Sequence, residues 1–109
     1  MLRKRERLAR ARDIANTRKT GTRRKDENFS VTISKRPTGD TSRATVVVSK
    51  QTARKAVDRN HVKRQVREII KPHIGKTSGP FVDVVISVKK PALAKSYSAL
   101  KVSLLALLD

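Results

Sequence analysis

Cysteine and tryptophan are absent from this 109-residue sequence, and only three side chains are aromatic: Phe29, Phe81 and Tyr97. The missing thiols exclude a disulfide scaffold and thiolate zinc sites, and they suit a reducing compartment such as the cytoplasm. With so few rings, the core must be built from valine, isoleucine and leucine. No stretch reaches the ~18 consecutive apolar residues that a membrane-spanning helix requires. Acids are scarce as well, nine against 27 lysines and arginines, for a formal charge of +18. A charge of that size opposes compaction by self-repulsion, and a polyanionic partner relieves it. The arginine-rich start does not read as a targeting segment, because Glu6 and Asp13 interrupt it and no apolar run follows.

Groups able to carry out chemistry are equally few. His61 and His73 are the only histidines, and neither has a carboxylate cluster nearby in sequence. Asp58 and Glu68 balance charge on a helix more plausibly than they bind metal, and no Gly-rich phosphate loop is present. Neither a protein-borne catalytic centre nor a metal site is expected. The length suits one domain, residues 1–109, which buries roughly two thirds of its unfolded surface.

The positive charge is segregated. Residues 1–25 carry 11 basic and two acidic side chains, and residues 50–71 carry eight and two. The remaining residues are nearly balanced, with eight and five. Two basic surfaces on an ordinary scaffold are the electrostatic footprint of a nucleic-acid binder.

Periodicity places the elements. Leu2 to Thr20, with Leu8 and Ile14 as apolar anchors, predicts a weakly amphipathic helix that stops at Gly21. Phe29, Val31 and Ile33 alternate with polar residues, which predicts a strand with one buried face. Pro37 to Asp40 reads as a turn into a second strand, Arg43 to Ser49, and the short connection predicts an antiparallel hairpin. A helix is predicted from about Thr52 to Lys71, ended by Pro72, then a loop from Gly75 to Pro80. Phe81 to Val88 is apolar on both faces and reads as an internal strand. Leu93, Tyr97, Leu100, Leu104 and Leu107 then form a helical stripe. The sum is an α+β sandwich of helices on a small sheet.

The helix of residues 53–71 is the most informative segment. At ~100° per residue, Val62, Val66, Ile69 and Ile70 share one side. Asn60, Lys63, Arg64, Arg67 and Lys71 share a second, and Asp58, His61, Gln65 and Glu68 a third. A merely soluble helix interleaves signs to form i,i+4 pairs, whereas this one keeps its acids off the basic side. Such a side can lie along phosphates, with arginine forks on oxygen pairs and Asn60 at a base edge or ribose. Arg59 falls beside the apolar side, where its stem can cover a core edge.

These residues also carry a resemblance. Val48-Ser49-Lys50, followed by Lys55-Ala56-Val57-Asp58-Arg59-Asn60-His61-Val62-Lys63-Arg64 and then Arg67-Glu68, is similar to the signature of the protein subunit of bacterial ribonuclease P. Asp13-Ile14, Lys19 to Gly21, Arg43 and the run from Val84 to Pro91 follow in the same order. The resemblance implies a two-layer α+β sandwich with a mostly antiparallel four-stranded sheet and about three helices. The implied element order is α-β-β-β-α-β-α, with a left-handed βαβ crossover of the kind found in the second domain of a small-subunit ribosomal protein, against the usual right-handed rule.

The resemblance further implies a function. The RNA subunit of ribonuclease P, with magnesium, removes the 5′ leader of precursor tRNA, and the protein promotes that cleavage without catalytic side chains or a cofactor of its own. Lys50, Arg54, Lys55, Arg59, Asn60, His61, Lys63, Arg64 and Arg67 are the implied RNA contacts. Ile14, Arg18, Phe29, Val31 and Thr32 are implied in the leader cleft. The implied partners are the RNA subunit and precursor tRNA, in the cytoplasm, with no membrane and no obligate protein partner. Two positions depart from the pattern: the signature triplet ends in His61 rather than arginine, and Ile14, Arg18 and Thr32 stand where the family often has cleft aromatics. The competing readings are a ribosomal-type RNA-binding module and a helix-turn-helix DNA binder using residues 52–71.

Overall fold

The strand that is apolar on both sides takes the centre of the sheet. In the computed structural model, which describes residues 2–36, 41–75 and 81–108, four strands form: β1 (Thr22–Lys25), β2 (Phe29–Lys35), β3 (Arg43–Val47) and β4 (Val82–Val88). Their order across the sheet is β1-β2-β4-β3. β4 pairs antiparallel with β2, Phe29 opposite Val88 and Thr32 opposite Val85, and parallel with β3, Thr45 opposite Val85. The predicted hairpin between the second and third of these strands is therefore not formed. Val84, Val85 and Ile86 are all essentially buried, and a strand that must hide both faces displaces the half-polar β3 from the side of β2. The predicted turn at Pro37–Asp40 and the loop over residues 76–80 lie outside the described residues.

Three α-helices cover the sheet: α1 (Ala11–Thr20), α2 (Ala56–Ile74) and α3 (Tyr97–Leu108). One face of the sheet presents Phe29, Val31, Ala44, Val46, Val84 and Ile86 to Val62, Val66, Ile69 and Ile70 of α2 and to Leu100, Leu104 and Leu107 of α3. These are the positions at which periodicity put the core. Leu93 is the exception: it lies in a 3₁₀ turn, Lys90–Ala94, and is partly exposed. α1 lies on the opposite face, adding a partial third layer, with Thr17 and Thr32 buried between. No helix among the described residues is long and apolar enough to cross a membrane.

Three local departures from the sequence reading have physical causes. The opening helix begins only at Ala11, because the edge of the sheet takes the preceding backbone: the Leu8 N–H donates to the Ala44 carbonyl (2.9 Å), and Arg7 bridges Ala44 in parallel. β1 carries no apolar residue and is fully exposed, so it had no burial pattern to detect. α2 starts at Ala56, four residues later than read, and runs through Pro72. The bond that Pro72 cannot donate would have reached Glu68, which is exposed, so water can satisfy its carbonyl while Ile74, the last residue of the helix, gains burial.

Two contacts fix α1 on the sheet. Arg43 holds Asp83 through two hydrogen bonds (2.9 and 2.7 Å) and reaches Asp13 of α1 at 3.4 Å. The Asp83 bonds, more than the Coulombic attraction, raise the proton affinity of the guanidinium above its ordinary value. At the other end of α1, Gly21 terminates the helix with an ordinary negative φ of −81°, so its need is space. A Cβ there would stand 2.6 Å from the Thr17 carbonyl oxygen and 2.8 Å from that of Ile33. Gly21→Ala is expected to cost about 1–3 kcal/mol in urea unfolding, the range for overpacking against backbone; an unchanged midpoint would show that α1 can lift without loss.

The β1–β2 turn is organised by Asp26. Its carboxylate accepts the N–H groups of Asn28 and Phe29, both at 2.8 Å, and the hydroxyl of Ser103 from α3, while Lys89 Nζ donates to its backbone carbonyl (2.7 Å). Burial by itself would raise this carboxyl, but the bonds from Ser103, Phe29 and Asn28 and the charge of Lys89 outweigh it and hold it below its ordinary value. With the folded value below the unfolded one, the stability Asp26 contributes is complete above about pH 4 and is lost as pH falls through the lower folded value. Asp26→Asn is therefore expected to lower the urea midpoint at neutral pH and to converge with the parent on acidification. A gap that persists or widens below pH 3 would contradict the ionic role.

Candidate nucleic-acid interface

The approach to α2 is tied down by small polar groups. Ser49 Oγ accepts the Thr52 N–H (3.1 Å), the Ser49 carbonyl accepts the Ala53 N–H (3.1 Å), and Ala53 is buried in the core. This turn leaves Lys50, Arg54 and Lys55 exposed before the first turn of the helix. Arg59 is used differently: one terminal nitrogen donates to the carbonyls of both Ala53 and Arg54, each at 2.8 Å. It clips the approach segment onto the helix, so a good part of its donor capacity is already spent within the chain.

Along α2 the side chains sort as the wheel requires. Asn60, Arg64, Arg67 and Lys71 are exposed and line one open groove of about 650 Å³. Lys63 is half-buried at the border with the core side. No described residue forms an ion pair with Lys63, Arg64, Arg67 or Lys71, whereas Arg36, Arg43 and Lys95 are each paired with an acid. One acid lies nearer than the wheel suggested, since Glu68 shares the groove. His61 lies elsewhere, in a separate hollow with Asp58, Gln65 and Leu93, so it is not part of the stripe.

A second surface emerges on the α1 face of the sheet. Strand register sets Arg43, Asp83 and Ser34 in one row, Thr45, Val85, Thr32 and Arg23 in the next, and Val47, Ser87, Ser30 and Lys25 in a third. Asp13 touches Arg43, and Thr20 Oγ1 lies 3.0 Å from Ser34 Oγ, so one flank of α1 sits over the first row. Ile14 and Arg18 leave the opposite flank, about 100° per residue round the helix, toward the other rows. Val85 and Thr32 are buried, whereas Val47, Ser87 and Ser30 are only half-buried. The result is a trough floored by the third row, walled by Ile14 and Arg18, and rimmed by Lys25.

Two residues assigned to the cleft on resemblance are corrected by this geometry. Phe29 and Val31 are 0% exposed in the core between the sheet and α2 and α3. Strand alternation turns them away from the face that Thr32 occupies, and Thr32 itself is closed over. Conversely, Lys25, Ser30, Val47 and Ser87 were not singled out from the sequence, since only strand order makes them neighbours. Among the described residues, no three His, Asp or Glu side chains converge to hold a metal ion.

The comparisons with known proteins agree with one another. The family model for ribonuclease P matches residues 2–109. The ribonuclease P protein of Staphylococcus aureus superposes with a TM-score of 0.83 at 27% identity, over 94% of this chain and 92% of that one. The ribonuclease P protein of Thermotoga maritima superposes with a TM-score of 0.79 at 32% identity, over 94% of both chains. No curated protein matches the sequence. A four-stranded mixed sheet with three helices, a cationic helix running off the end of β3, and a family match along essentially the whole chain lead to one assignment: the protein belongs to the ribonuclease P protein family and is the protein component of that ribonucleoprotein endonuclease of tRNA 5′ maturation.

Proposed function

We propose that the α2 stripe holds the ribonuclease P RNA and that the trough on the α1 face takes the 5′ leader of precursor tRNA, the whole chain acting as one RNA-binding domain. In this reading Asn60, Arg64 and Arg67 bind RNA directly, Lys50, Arg54, Lys55 and Lys63 extend the charged surface, and Arg59 holds the approach segment in place with its remaining donors turned to RNA. His61 contacts RNA from the side of the helix. Ile14, Arg18 and Lys25 grip the leader by charge and apolar contact rather than by aromatic stacking. Magnesium belongs to the RNA subunit, where cleavage takes place, and the complex works in the cytoplasm. The observation that carries this reading is the exposed run of α2 cations without ion-pair partners among the described residues.

Phosphate neutralisation by about five such side chains corresponds to a slope of log K against log salt of roughly −3 to −5. The test is reconstitution: at low magnesium the chain is expected to stimulate leader removal by a bacterial ribonuclease P RNA. Tight RNA binding with no stimulation would mark a plain RNA-binding module. The leader assignment is checked separately by precursors with and without a leader, since only the leader-bearing form should lose affinity in Arg18→Ala.

A further inference from the structure

Beyond the α2 stripe and the sheet-face trough lies a third concavity, where the chain segment before α1 crosses the free edge of β3. It is a cavity of about 290 Å³ whose lining includes Leu2, Arg7, Leu8, Ala9, Val46 and Arg67. The walls are aliphatic and buried: Leu2 is 3%, Leu8 1% and Val46 6% exposed. Its two charges are both guanidinium groups. Arg67 also lines the α2 groove, and Arg7 is held along the segment by donating from Nε to the Leu2 carbonyl (3.2 Å). Neither forms an ion pair among the described residues.

The one acid of the segment is directed elsewhere. Glu6 is buried, accepts the Arg3 N–H at 2.8 Å and lies against Gly75 beyond the end of α2, leaving the two guanidinium groups un-neutralised. The edge of β3 adds polar groups. Ala44 turns its carbonyl outward to the Leu8 N–H, so Val46, two residues on, turns its own N–H and C=O to the same side. An apolar slot, a peptide edge with one donor and one acceptor, and two arginines at the mouth have the chemistry of a flat heteroaromatic ring attached to a phosphate. Single-stranded RNA is recognised in this way, by an unstacked base that is packed on side chains and hydrogen-bonded along its edge.

We propose that this cavity takes one unstacked nucleotide of an RNA chain, its base against Leu2, Leu8 and Val46 and its phosphate between Arg7 and Arg67. The assignment rests on the RNA-binding reading of α2 and extends it round the sheet edge to a base rather than a phosphate contact. Two measurements on the full chain test it. In amide NMR titrations, adenosine monophosphate should shift Leu8, Ala9 and Val46 saturably, whereas ribose 5-phosphate should perturb only the arginines. Ala9→Leu, which narrows the cavity without changing charge, should weaken binding of a short oligoadenylate about tenfold, the effect of one lost base contact, and leave the salt slope unchanged. Equal shifts with the base-free phosphate, or no shift at Val46, would reduce the cavity to a phosphate contact and overturn the proposal, even if Ala9→Leu failed to fold. Parent-like oligoadenylate binding by a folded Ala9→Leu would overturn it while sparing the α2 reading, and absence of any RNA binding by the parent would overturn both.

Discussion

Arg64→Ala combined with Arg67→Ala is expected to abolish stimulation of leader removal while leaving the circular dichroism spectrum and the urea midpoint at parental values. Both side chains are exposed on α2, and neither has an ion-pair partner among the described residues, so their removal frees no buried charge and opens no hole. Each is suited to a charge-assisted bond to phosphate, worth roughly 1.5–3 kcal/mol. Losing two should lower affinity for the RNA subunit by about a hundredfold or more and flatten the salt slope by about two. Arg67 also borders the cavity at the β3 edge, so Arg64→Ala alone should show the smaller loss. Retained stimulation in a normally folded double variant would remove α2 as the interface.

Phe29→Ala is expected to have the opposite profile, with little direct effect on RNA contacts and a large effect on folding. Phe29 is 0% exposed, pairs with Val88 at the end of β2, and donates its N–H to the Asp26 carboxylate at 2.8 Å. Truncating a buried phenylalanine costs about 3–5 kcal/mol through lost transfer energy and the cavity left behind. A chain of this length has a total stability of roughly 5–15 kcal/mol, and self-repulsion draws on it further. The urea midpoint should therefore fall steeply and recover partly when RNA is added, because a partner that binds only the folded form stabilises it by mass action. A normal midpoint with lost leader affinity would instead return Phe29 to the cleft.

The contrast between these two variants shows which features the chain carried openly. Val62, Val66, Ile69 and Ile70 point inward while Asn60, Arg64 and Arg67 point outward because a helix repeats every 3.6 residues, so spacing alone states which side is buried. The same rule located Leu100, Leu104 and Leu107, and charge segregation located the exposed cationic side of α2. It could not detect β1, whose residues Thr22–Lys25 carry no apolar member, nor a helix that tolerates Pro72 near an exposed end. It also left Glu68 on the wrong side of a sector boundary.

Composition and periodicity by themselves determined an aliphatic core, every α-helix and every strand but β1, and a predominantly cationic helix face. Tertiary structure alone decided that β4 separates β2 from β3, that Phe29 and Val31 are closed off while Lys25, Ser30, Val47 and Ser87 share an open floor, and that Arg7 and Arg67 line one cavity at the β3 edge. The reason is one of range. Which side of an element is buried is encoded within a few residues of it, whereas which elements become neighbours depends on how the whole chain hides its most apolar strand.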